Sequence, residues 1–262
     1  MHSIDLNADL GEGLGPWLMG DDEALLEVVS SANVATGFHA GDPSIMRRTC
    51  RQAAQRGVAI GAHVAYRDLH GFGRRAMDIA PEELAADVLY QVSALEGIAR
   101  AEGAEVAYCK PHGALYNTIA RDEGQAQATA EALAAFRPGL RVLGLPATPW
   151  QAAAEAAGLR FVAEAFADRA YTPEGLLVSR QQPGSVLHDV ELITARCVAM
   201  ATGQPVADVE GGQITLSPGS ICVHGDTPGA VEIARSVRGA LEENGITVEP
   251  FSSPASAAGT AS

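Results

Sequence analysis

The stretch "EVAYCKPHGALYN" (105–117) decides the fold. A short β-prone run ends in Lys110, Pro111 and His112, and a glycine then releases the chain into a helix-compatible segment. Lys110 is the sole lysine, against 17 arginines. The same grammar, a β run closing on chemistry-bearing residues, recurs along the chain. Candidate strands are 3–10, 32–38, 57–63, 105–110, 140–145, 159–166 and 220–225. Between them lie amphipathic Ala-rich patterns at 42–57, 81–103, 122–136 and 227–245. Pro81 suits a first helical position and Gly103 a helix end.

Seven β runs in βα order predict a parallel sheet covered by helices. An open dinucleotide-binding sheet would need G-x-G-x-x-G ahead of a helix, and "GEGLG" (11–15) has no good helix directly after it. Lys110 is followed by proline, so no P-loop is present. Polar residues at nearly every strand end favour a βα barrel, whose active site lies at that rim. The long segment 167–188 lacks helix signals and is expected to serve the same rim. We read one barrel domain over 1–251 and a disordered low-complexity tail over 252–262.

A net charge of −14 excludes a nucleic-acid footprint. The N-terminus lacks a signal-peptide pattern and no apolar stretch spans a membrane, so a soluble cytoplasmic protein is expected. Cys50, Cys109, Cys197 and Cys222 are scattered without C-x-x-C and read as buried free thiols.

The strand ends supply the chemistry. The first gives Asp5, Asn7, Asp9 and Glu12, and alternation puts the first three on one face, inward in a barrel. "GFHAGD" (37–42) gives His39 and Asp42; "GAHVAYRDLHGFGRR" (61–75) gives His63, Arg67, Asp68, Arg74 and Arg75. The fourth end gives Lys110, His112 and Asn117, "EAFADRAY" (164–171) gives Glu164, Asp168 and Arg169, and "CVHGD" (222–226) gives His224 and Asp226. Asp42 and Asp226 also suit helix caps. Four histidines closing four strands, His39, His63, His112 and His224, are harder to ascribe to packing. Such groups could bind a divalent ion or act as general acid and base, and the spacing does not choose between them. A flexible ammonium at Lys110 could hold a carboxylate or an oxyanion, which a guanidinium fork does differently.

The stretches "DLNADLGEGLGPW" (5–17), "SSANVATGFHAGDPSIMRR" (30–48), "GVAIGAHVAYRDLHGFGRRAM" (57–77), "KPHGALYN" (110–117), "FADRAY" (166–171) and "CVHGD" (222–226) resemble the LamB/YcsF family. The chain departs from the family pattern at Ala8 and Thr36, where cysteines are usual, and at "GAHVAYRD", where GAHPGYPD is common. The acidic and histidine positions are kept. The resemblance implies an irregular seven-stranded (β/α) barrel, similar to glycoside hydrolase/deacetylase barrels. It also implies a hydrolase subunit that opens 5-oxo-L-proline to L-glutamate with two partner subunits. ATP, with magnesium, would be used by the assembled complex.

On that reading Asp5, Asn7, Asp9, His39, His63, Lys110, His112 and Asp226 form the expected catalytic set. Arg67, Arg74, Arg75, Asn117, Glu164, Arg169 and His224 are expected to bind substrate. The alternative is a metal-dependent amidase or carbohydrate deacetylase acting alone, with an ion at Asp9, His39 and His63. A noncatalytic carrier is a third class, and a homo-oligomer stays open.

Overall fold

Strand β1 (His2–Leu10) alternates strictly: Ile4, Leu6, Ala8 and Leu10 point outward under helices, while Asp5, Asn7 and Asp9 point inward, and all seven are buried. A computed structural model of the chain describes residues 2–225 and 229–252. The strands that follow are β2 (Ser31–Ala35), β3 (Ala59–Val64), β4 (Val106–Pro111), β5 (Arg141–Gly144) and β6 (Arg160–Phe166). A two-stranded antiparallel hairpin, β7 (Val206–Ala207) with β8 (Gln213–Ile214), precedes β9 (Ser220–Val223).

Strands β1 to β6 pair in order and in parallel, and β9 pairs with both β6 and β1. That double pairing closes a seven-stranded barrel, the architecture expected from the sequence. A last strand, β10 (Ile246–Val248), adds beside the first residues of β1. Closure leaves no free edge in the ring and aims every strand's C-terminal end at one rim.

Eight helices cover the barrel among the described residues: α1 (Asp22–Leu26), α2 (Pro43–Arg56), α3 (Pro81–Ala101), α4 (Gly113–Ile119), α5 (Glu123–Phe136), α6 (Pro149–Ala156), α7 (Val190–Ala201) and α8 (Ala230–Glu243). On α3, Leu84, Val88, Val92, Leu95 and Ala99 recur at helical spacing and are fully buried. Burying each of the larger ones contributes about 1.5–3 kcal/mol. Asp42 caps α2 by accepting from the backbone N–H of Ser44 and Ile45, as expected. Helices α1, α4, α6 and α7 had no element assigned from the sequence, and the first two are only five and seven residues long.

All four cysteines are free and buried. Phe251 packs edge-on against Tyr108, and Ser252 is buried. The rest of the expected tail, 253–262, lies outside the described residues, as does Asp226. No described helix is long and apolar enough to cross a membrane.

Candidate active site

The barrel interior is polar, and register explains why. Cross-strand pairing sets Asp9 beside Asn33, Asn33 beside Gly61, and Gly61 beside Tyr108. Gly61 is required here, because a Cβ would lie 2.2 Å from the Tyr108 ring. The ring therefore lies over the glycine, and its hydroxyl donates to Asn33 Oδ1 at 2.7 Å. Asn33 Nδ2 in turn donates to Asn7 Oδ1 at 2.6 Å and Asp9 Oδ1 at 2.8 Å.

Deeper still, Asp5 accepts from the hydroxyls of Ser30, Ser31 and Ser220. Burial dominates there and lifts the Asp5 pKa to about 6. Asp5 and Asn7, expected to be catalytic, lie in this network below the cavity lining and hold other groups in place.

Lys110 is 1% exposed, and its ammonium is shared. Nζ lies 2.9 Å from Glu164 Oε1 and 3.2 Å from Asp9 Oδ1, and donates to Cys222 Sγ at 2.9 Å. Burial opposes its charge, but Asp9, Cys222 and Glu164 together outweigh burial and hold its pKa well above the ordinary lysine value. The same contest at Asp9 ends with its pKa well below the usual carboxylate range, because His63 and Lys110 outweigh desolvation. Glu164, expected to touch substrate, is a buried partner of Lys110 and Asn7.

Above this layer three imidazoles and a carboxylate meet. His39 and His112 stack with ring centroids 3.8 Å apart, and His63 stands edge-on to both. His39 Nε2 lies 3.0 Å from Glu12 Oε1, and His112 Nδ1 lies 2.9 Å from His63 Nε2. Burial, with the other imidazoles adding to it, pushes the pKa values of His39 and His112 well below the ordinary histidine value. The loop after β3 completes the enclosure. Gly73 adopts φ +63°, and a Cβ there would sit 2.8 Å from both His39 Cβ and His112 Cδ2. Gln91 of α3 anchors the rim from behind, pairing through its amide with both backbone groups of Ala65.

A cavity of about 690 Å³ opens over these groups. Asp9, His63, Lys110 and His112 line its floor, and His224 lines its side. His224 Nδ1 lies 2.7 Å from Asp168 Oδ1, and the ring stacks on Phe166. Burial would raise the Asp168 pKa, but His224 outweighs it and holds it low.

Residues 177–181 of the long segment line the wall, in keeping with the expectation for 167–188. Arg169 shapes that segment by donating to the carbonyls of Ser185 and Val178, and burial lowers its pKa to about 10. Arg74, Arg121 and Arg180 are exposed lining residues, so an acidic protein presents a basic mouth here. Asn117 lines it too.

Arg67 and Arg75, expected at the substrate, do not line the cavity. Arg67 pairs with Asp87 of α3 and lies over Phe38, while Arg75 pairs with Asp68. Two partners went unassigned from the sequence. The sequence places Glu12 at a strand end without marking it as a site residue, and nothing in it pairs Asp168 with His224. The signal for Glu12 was its place two residues after β1, on a turn begun by Gly11 at φ +72°.

The LamB/YcsF family model matches residues 4–256. The chain is 58% identical over 251 residues to the 5-oxoprolinase A subunit of Kocuria rhizophila, covering 96% of this chain and all of that one. It is 57% identical to the protein of the same name from Mycobacterium avium, with the same coverage. Among solved structures, the lactam utilization protein of Thermus thermophilus superposes with a TM-score of 0.90 at 45% identity, covering 95% of this chain and all of that one. A putative cellobiose-phosphate cleavage protein from Enterococcus faecalis, covering 95% of this chain and 97% of that one, shares the fold alone at TM-score 0.54 and 15% identity. The chain belongs to the LamB/YcsF family.

Proposed function

We propose that this chain is the A subunit of a 5-oxoprolinase that opens 5-oxo-L-proline to L-glutamate with ATP and two partner subunits. The observation that carries the proposal is full-length identity of 57–58% to proteins named as the A subunit of 5-oxoprolinase. The cavity is in keeping with it. An unstrained lactam resists hydrolysis without activation, the sequence contains no P-loop, and partners supplying the ATP site would provide that activation.

Transfer of the terminal phosphoryl group to the lactam oxygen makes the ring carbon electrophilic. Arg74, Arg121 and Arg180 at the mouth suit the carboxylate and phosphoryl charges of that species. Water, positioned at the floor beside His63 and His112, adds to the carbon and gives its proton to Asp9. The C–N bond then breaks, and the nitrogen takes a proton from His224, which Asp168 orients. A second water releases phosphate from the resulting acyl phosphate and leaves glutamate.

The test is glutamate release from 5-oxo-L-proline by the purified chain, with and without ATP and its partner subunits. Release requires both, and His112→Ala or His224→Asn lowers it by at least about 100-fold. Release by the chain alone without ATP, or no release in any combination, refutes the proposal.

A further inference from the structure

The hydrogen bonds around His63 and His112 set up a conflict that no neutral group among the described residues resolves. His63 Nδ1 lies 3.0 Å from the Lys110 carbonyl, and His112 Nε2 lies 2.8 Å from the Phe72 carbonyl. A carbonyl only accepts, so each of these outer nitrogens carries the ring proton. The inner nitrogens, His63 Nε2 and His112 Nδ1, are then both lone-pair acceptors, and they face each other at 2.9 Å. Glu12 Oε1 adds negative charge 3.6 Å from His112 Nδ1 and 4.0 Å from His63 Nε2. His39 Nε2 lies 3.0 Å from the same oxygen. His39 Nδ1 has no hydrogen-bond partner among the described residues, so without an ion the proton sits on Nε2 and is donated to the Glu12 carboxylate. Two facing lone pairs and a third imidazole nitrogen thus converge beside one carboxylate, and among the described residues no neutral donor lies between the two lone pairs.

We infer that Glu12, His39, His63 and His112 bind one divalent transition-metal ion of the zinc type. The four ligand atoms lie within 4.8 Å of one another. An ion held tetrahedrally at about 2.0–2.1 Å separates its ligands by about 3.3–3.4 Å. The ligand distances of 2.9, 3.0, 3.6 and 4.0 Å bracket that edge. The carbonyls on His63 and His112 are the outer partners that orient metal-bound imidazoles. Three imidazoles with one carboxylate suit zinc, cobalt or nickel and not magnesium or calcium, which take oxygen ligands.

The set differs from the trio expected from the sequence. Asp9 Oδ1 lies 3.4 Å from His63 Nε2 but is held by Lys110 and Asn33, and Glu12 is the carboxylate that meets all three imidazoles. A second cluster, Asp9, Cys222 and His224, does not compete, because the Lys110 ammonium already occupies Asp9 and Cys222. His63 and His112 line the cavity floor, so the ion would place a Lewis acid beside any bound substrate. The inference rests on this chain's own residues and stands whatever the substrate.

The test uses untagged full-length chain, stripped with chelator and titrated with Zn2+ by calorimetry and with Co2+ by visible absorption. One ion per chain is expected, with Kd at or below about 1 µM and the intense visible bands of tetrahedral cobalt. The near-isosteric Glu12→Gln, and separately His39→Ala, weaken binding by at least about tenfold, while His224→Ala leaves it unchanged. No binding at about 100 µM overturns the inference and leaves a proton shared by His63 and His112 as the bridge. Binding indifferent to both Glu12→Gln and His39→Ala also overturns it. Metal binding without glutamate release in any combination would remove the proposed function and leave the metal site intact.

Discussion

Replacing Lys110 with methionine tests the buried charge network directly. The side chain has similar reach and keeps much of its apolar contact with Phe166, whose ring centroid lies 5.0 Å from Nζ. What disappears is the one cation between Asp9 and Glu164, both within 3.2 Å of it and both buried. Breaking a buried pair by removing one partner costs about 3–5 kcal/mol, because the remaining charge is uncompensated. Asp9 keeps its bond from Asn33 and Glu164 its bond from Asn7, which argues for the lower end, about 3 kcal/mol. In a chain of this size that lowers the melting temperature by roughly 10 °C.

The assay is urea unfolding followed by circular dichroism for Lys110→Met, Glu164→Gln and the double variant. Neutralising Glu164 removes one of the stranded charges, so the double variant is more stable than the sum of the single effects by at least about 1 kcal/mol. A Lys110→Met protein within about 1 kcal/mol of the parent refutes the network reading, as does strict additivity. Either result would return Lys110 to the simpler role of a cation awaiting a substrate carboxylate.

Two further outcomes follow from the same interior. Asp5 titrates near 6 in the folded protein against 3.8 in its ordinary state, with burial the main cause and Glu164 a lesser one. Between those values the folded chain holds a proton the unfolded chain has lost, so this group's contribution to stability falls as pH rises through that window. Asp5→Asn should therefore gain on the parent by about 3 kcal/mol between about pH 4 and pH 7, and a pH-independent difference in urea midpoints would contradict this. Gly73→Ala forces a side chain at φ +63° against His39 and His112, and a loss of about 2 kcal/mol is expected in a thermal melt. An unchanged melt would show that the loop is not seated on the imidazoles.

The sequence carried the architecture because the information needed was local. Seven apolar β runs and their polar ends lie at the positions of the seven barrel strands, since a strand's alternation is written in consecutive residues. Short helices such as α4, seven residues beginning at Gly113, leave too little periodicity to read. The inward face of Asp5, Asn7 and Asp9 was likewise legible from spacing two.

The partners were not legible. That Lys110 faces Glu164 and Asp9, that Arg67 and Arg75 are spent on Asp87 and Asp68, and that Glu12 joins three histidines depend on pairings between distant segments. By itself the sequence determined which residue types sit at the ends of which strands. Only barrel closure and register decided which of them touch, because that distance is fixed by the β9–β1 pairing and the tilt of the ring, and no run of neighbouring residues encodes either.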